Sequence, residues 1–209
     1  MNEEEFTATV REECAQELDR LGSEKALVAT TAAQLEDDRV LESAAQAEQR
    51  AIETFEQWST TEANTEAQTT FERILGQEQD HYDRIAEHLE TVSEADEDEL
   101  HEYLRGLDDA IERVAAGVVA RGMVSSRSLL QTINYFVNES DEATADLFRD
   151  IRAETDEQVE SGARLLADLC AEDAQWERAQ TAAVQTIQLA YEEYAESLEG
   201  MGIDPKPVC

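Results

Sequence analysis

The sequence predicts an all-α fold, a four-helix bundle with an additional N-terminal and C-terminal helix, and three observations lead there. Glu, Ala, Gln, Leu and Arg dominate the composition, and these residues favour helix. The only prolines are Pro205 and Pro207, so none interrupts the body of the chain. Apolar residues recur at helical spacing in one segment after another, each marking a single buried stripe. At 209 residues and 41% hydrophobic content the chain can bury a sizeable core, which suits one helical domain over residues 1–203 followed by an extended tail, 204–209.

The elements follow in order. Residues 3–21 form a first flanking helix on Phe6, Val10, Cys14, Leu18 and Leu21, with Cys14 expected as a buried core thiol. Gly22-Ser23 breaks it, and Ser23 is placed to cap a shorter segment through Ala33. Asp37-Asp38 starts the first helix of the core, 39–59, whose apolar face runs through Leu41, Ala44, Ala45, Ala51, Ile52, Phe55 and Trp58. Residues 60–64 are a short connection, which makes the helix over 65–90 an antiparallel neighbour. The acidic stretch 91–99 reads as a loop. Short helical pieces follow it, with Gly117 and Gly122 as weak points. A third core helix is expected over 123–138 and a fourth over 142–170, so that the core covers about 39–170. The last flanking helix, 174–199, is built on Trp176, Val184, Ile187, Tyr191, Tyr194 and Leu198.

The formal net charge is −34, and of the sixteen basic residues only Lys25 and Lys206 are lysines. Acid enrichment with lysine depletion, spread along the whole chain, points to adaptation to high cytoplasmic salt, as in halophilic archaea. A dedicated acidic protein with a basic partner is the alternative. No basic surface for nucleic acid is visible. No apolar run reaches the roughly 20 residues of a membrane span, and no signal segment opens the chain, so a soluble, cytoplasmic protein is expected. Cys14, Cys170 and Cys209 are odd in number and far apart, which argues against a disulfide framework. Cys209 is expected to be the most exposed thiol.

Two helices place charge on their own apolar stripes. Glu78 and His81 fall among Phe71, Ile74, Leu75, Tyr82 and Ile85, and Glu48 falls in the middle of the face that carries Ala51 and Phe55. Counted from the 60–64 connection, Glu48 lies about fourteen residues back and Glu78 about sixteen forward, which at ~1.5 Å per residue matches within a helical turn. An unpaired buried charge costs several kcal/mol, so these groups need a partner. Glu-x-x-His on one helix opposite a Glu on another is the spacing of carboxylate metal bundles. The other reading is that both acids reach solvent at the stripe's edge and His81 is a satisfied core histidine. His88 lies too far along its helix to share an ion, and His101 is expected at the surface. Tyr82, Tyr135, Tyr191 and Tyr194 are expected to pack.

Ala47-Glu48-Gln49-Arg50-Ala51 followed by Glu78-Gln79-Asp80-His81-Tyr82 resembles the rubrerythrin branch of the ferritin-like proteins, over roughly residues 39–170. The resemblance implies a ferritin-like bundle holding iron or manganese through Glu48, Glu78 and His81, and an oxidoreductase role toward peroxide or oxygen, with no haem or nucleotide. Phe71, Ile74, Glu78 and His81 align at a constant offset with Phe148, Ile151, Thr155 and Gln158, and a separate alignment of Ile52, Phe55 and Trp58 with Leu130, Ile133 and Phe136 puts Glu48 on Ser126. The second half-set that a two-metal member carries is therefore neutral, leaving a half-site suited to a single Fe(II), Mn(II) or Zn(II), with Thr155 or Gln158 toward an open position. Glu154 lies one residue off the aligned position. The alternative is a degenerate, metal-free bundle acting as a regulatory or protein-binding module. A homo-oligomer and an unidentified protein partner remain open.

Overall fold

The computed structural model describes residues 1–206, all of its regular structure helical and none of it strand among those residues. The chain runs through α1 (Glu3–Glu13), α2 (Ala15–Leu21), α3 (Glu24–Thr30), α4 (Asp37–Thr61), α5 (Thr65–Ala86), α6 (Glu99–Arg105), α7 (Ala110–Arg113), a π-helical segment (Val114–Ala120), α8 (Arg121–Asn138), α9 (Glu142–Leu169) and α10 (Asp173–Gly200). Local chemistry sets the starts. The Asn64 side chain accepts hydrogen bonds from the Glu66 and Ala67 amides, Asp141 does so for Thr144, and Asp37 and Asp38 place negative charge at the first turn of α4.

α4 and α5 form one antiparallel pair and α8 and α9 a second, with α5 against α9. α10 packs along the π segment and against α2 and α3, while α1 lies against α9 and α10. The additional helices at both ends thus cover the four-helix arrangement. Cys209 and the end of the tail lie outside the described residues.

Several boundaries differ from expectation. The first flanking helix is two pieces hinged at Cys14, whose φ and ψ of −104° and 26° leave the helical region. Cys14 is buried there, as its stripe requires. Ser23 occupies the N-cap position of α3, but its hydroxyl donates to the Arg20 carbonyl instead of capping. α3 ends at Thr30, and Ala32 and Ala33 turn through the left-handed region (φ 49° and 61°). The third core helix does not begin at Met123: helical backbone is continuous from Ala110 through the π segment into α8. Gly117 and Gly122 therefore do not break it. A Cβ on Gly117 would lie 2.4 Å from the Trp58 ring, and one on Gly122 would lie 2.6 Å from Val159. These glycines serve close approach, not weakness.

The apolar interior falls into two clusters. One gathers Ala51, Phe55, Trp58, Phe71, Ile74 and the π segment; the other gathers Val40, Ala45, Ile85, Leu129, Phe136, Phe148 and Ile151. Along α4 the change from one to the other falls at Glu48, along α5 at Glu78 and His81, and along α9 at Thr155 and Gln158. A buried polar layer crosses the bundle at that level.

Candidate metal centre

Glu48, Glu78 and His81 are 8%, 2% and 1% exposed, so the reading that leaves the acids at a solvent-facing edge fails. One potential ligand atom from each lies within 4.8 Å of the others. Their matched depth comes from the short 62–64 connection, which sets α4 and α5 in register.

The His81 ring is held by its far nitrogen. Nε2 lies 2.7 Å from Glu154 Oε2, and Glu154 in turn accepts from Arg84 at 3.0 Å. Nδ1 is buried with no hydrogen-bond partner and faces Glu48 Oε2 at 3.8 Å, beyond hydrogen-bond reach. A ring with one N–H held by a carboxylate and the other nitrogen turned into a carboxylate cluster is the usual posture of a metal-ligating histidine. Twice a ~2.1 Å ligand bond is ~4.2 Å, so a small rotation of one carboxylate brings the three donors onto one ion. The group could hold a metal ion.

Arg121 is the residue that sequence reasoning missed. The first residue of α8, it is 6% exposed, donates from Nη2 to Glu78 Oε1 at 2.9 Å and from Nε to the Gly117 carbonyl at 3.1 Å, and stacks over the Phe55 ring at 5.2 Å. Its signal was present: one charge ends the uninterrupted small and apolar run Val114–Ala120. Glu154 also enters, but through His81 and not as a fourth buried ligand.

The aligned neutral residues divide. Gln158 is fully buried beside Glu78, and neither of its amide atoms has a hydrogen-bond partner. The Thr155 hydroxyl is spent on the Ile151 carbonyl, and Ser126 accepts from Arg152. Of the three, only Gln158 has neither of its polar side-chain atoms hydrogen-bonded.

Electrostatics separates the two buried acids. Burial and the neighbouring Glu78 charge push the Glu48 carboxyl well above the usual range. Burial opposes ionisation of Glu78 too, but Arg121 at contact distance, the protonated Glu48 carboxyl and the His81 charge together outweigh it and hold that carboxyl low. Burial disfavours charge on His81 as well; Glu48, Glu78 and Glu154 overcome this and raise it to about 9. Without an ion the layer therefore carries an arginine, an imidazolium, one carboxylate and one protonated acid.

The other histidines part company. His88 is exposed near the end of α5. His101 is not at the surface: it is 6% exposed, with Nδ1 2.7 Å from Asp98 and Nε2 unpartnered. Asp98 caps α6 through the His101 amide, and that cap draws the ring inward. Among the described residues no helix is long and apolar enough to cross a membrane.

Fold and site together define an all-helical protein with a buried Glu-Glu-His group able to take a metal ion. No family model matches the chain, and no curated protein or solved structure matches it.

Proposed function

We propose that the protein holds one divalent ion, iron(II) or manganese(II), through Glu48, Glu78 and His81, and serves as a rubrerythrin-like oxidoreductase toward peroxide or oxygen. The observation that carries the metal is the His81 ring: buried, fixed at Nε2 by Glu154, with Nδ1 unpartnered among carboxylates. Carboxylate and imidazole donors suit iron or manganese. The redox role rests on the resemblance of the Glu48 and Glu78–His81 segments to rubrerythrins. A bound ion would supply one-electron chemistry and an open position for a small oxygen species.

The chain's own residues support that role in definite ways. Glu154 keeps the proton on Nε2 and so frees the Nδ1 lone pair. Arg121 neutralises one oxygen of Glu78 and adds a fixed positive charge to the layer, which disfavours a second cation beside the first. Gln158 offers an uncommitted amide to a polar molecule at the ion. Phe55, Trp58 and Phe71 pack as an aromatic group below the layer, Phe55 edge-on to Trp58 and both tilted against Phe71, and help exclude water.

A second reading has its own observation. The 2.9 Å Arg121–Glu78 pair already gives the layer a cation, so the bundle can also be read as metal-free, a scaffold for a regulatory or protein-binding task. Metal analysis of protein purified in molar KCl separates the two. About one equivalent of ion, lost in Glu78→Ala and accompanied by peroxide consumption, supports the first. A folded, empty protein that takes up neither Fe(II) nor Mn(II) on titration sinks it and leaves the second.

A further inference from the structure

A cavity of about 360 Å³ opens among α3, α4, α6, α8 and α10, a volume in the range that takes a small organic molecule. Much of its wall is aliphatic, with Ala26, Ala44, Val124, Leu129 and Ala190 contributed by four of these helices. The start of α6 brings a polar group to the same space: Asp98, His101 and the α10 carboxylate of Glu193. Two acceptors there meet no side-chain donor among the described residues. His101 Nδ1 donates to the Asp98 carboxylate at 2.7 Å, and burial keeps the ring neutral, so Nε2 presents a lone pair that no described residue meets. Glu193 accepts from backbone amides at the start of α6, Leu100 at 2.9 Å among them, and forms no salt bridge with a cationic side chain among the described residues. Burial and the adjacent Asp98 push its carboxyl up to about 7, as expected of an acid lacking a counter-charge.

Of the two arginines that line the cavity, Arg50 pairs with Asp98 at 2.7 Å within this polar group and Arg121 pairs with Glu78 outside it. The approach is acidic as well. A shallow depression shares Ala29, Asp98, Glu193 and Ser197 with the cavity and is rimmed by Glu97, Glu99, Glu102 and Glu196. Such a mouth repels anions and concentrates cations.

We propose that this cavity binds a small aliphatic primary amine as its ammonium ion, whose N–H groups donate to Glu193 and, after a small rotation of the enclosed His101 ring, to its Nε2, while the hydrocarbon lies along the aliphatic wall. The assignment stands independently of any ion at Glu48, Glu78 and His81. Because Glu48 and Arg121 also line the cavity, the occupant would lie beside that group.

Titration of the full chain with n-butylammonium chloride at pH 8 in molar KCl, followed by calorimetry, tests this. The salt screens diffuse attraction to the acidic surface, so saturable binding reports a built site. One-to-one binding is expected, with sodium butyrate and 1-butanol each at least tenfold weaker. Glu193→Gln should weaken butylammonium at least tenfold, and so should Ser128→Leu, which narrows the cavity without removing a charge. The far-UV spectrum and unfolding midpoint of each variant establish that it is folded. Absence of saturation would overturn the proposal. So would butyrate or butanol binding as well as the amine, or an unchanged affinity in folded Glu193→Gln.

Discussion

Arg121 and Glu78 are a fully enclosed ion pair, with side-chain exposures of 7% and 3%. Removing one partner leaves the other buried and uncompensated, which costs about 3–5 kcal/mol. Arg121→Gln should therefore lower the unfolding midpoint sharply. Added Mn(II) should restore part of the loss if the ion occupies the proposed site, because it supplies the missing positive charge. A midpoint insensitive to Mn(II) in that variant counts against the metal. Glu154 tests the same centre from outside: Glu154→Gln should weaken Mn(II) affinity by about 10–100-fold, the usual cost of losing the group that orients a ligating histidine. Titration gives a further check. His81 is raised from 6.5 to about 9 in the folded, metal-free protein. Its contribution is fully present below pH 6.5 and is lost as pH rises through about 9, on the order of 3 kcal/mol. Metal uptake runs the other way, since the ion needs the Nδ1 lone pair and competes with its proton. Unfolding of apo protein between pH 6 and 10 should show a smaller loss in His81→Gln than in wild type, the remainder coming from ionisation of the raised Glu48 carboxyl.

The entry to α8 shows how an element positions a site. Seven residues of π helix with i→i+5 bonding turn the chain differently from α helix, and Arg121 follows them directly. Close packing holds the segment in place. A Cβ at Gly162 of α9 would meet Val118 at 2.6 Å, as one at Gly117 would meet Trp58 at 2.4 Å. Gly117→Ala and Gly162→Ala should each destabilise by about 1–3 kcal/mol through overpacking, despite the better helix propensity of alanine. Gly76 is the contrast. It lies within α5 with open space where a Cβ would be, so Gly76→Ala should stabilise by about 0.5–1 kcal/mol. Urea unfolding of the three variants measures both signs. If Gly117→Ala also proved stabilising, the Trp58 contact would not be limiting.

Across the whole molecule, a net charge of −34 opposes compaction. Exposed like charges at this density lie within a Debye length of one another in dilute buffer, and that length falls to ~3 Å at 1 M salt. The unfolding midpoint should rise from low to molar KCl; a flat or falling midpoint would argue against adaptation to high salt. The buried polar layer should respond little, because the protein and not the solvent surrounds it. Salt would therefore act on the surface, and an ion at the proposed site on the interior.

Helix identity was legible in the residues because each helix must place its own apolar stripe inward. For the same reason the off-pattern Glu48, Glu78 and His81 were visible as a candidate site. The match in depth followed from a short connection that permits only one antiparallel register. Hidden from the sequence was what meets these residues across the bundle. Glu154, one position off the repeat, reaches His81 only because α9 rotates it toward α5. Arg121 reaches Glu78 because the π segment carries helical backbone through Gly117, which read as a weak point. His101 looked like a linker residue, yet the Asp98 cap and the packing of α6 against α4 and α10 bury it. Periodicity records the face a helix turns to the core; which charges then pair depends on helix rotation and close approach, which only the assembled tertiary structure decides.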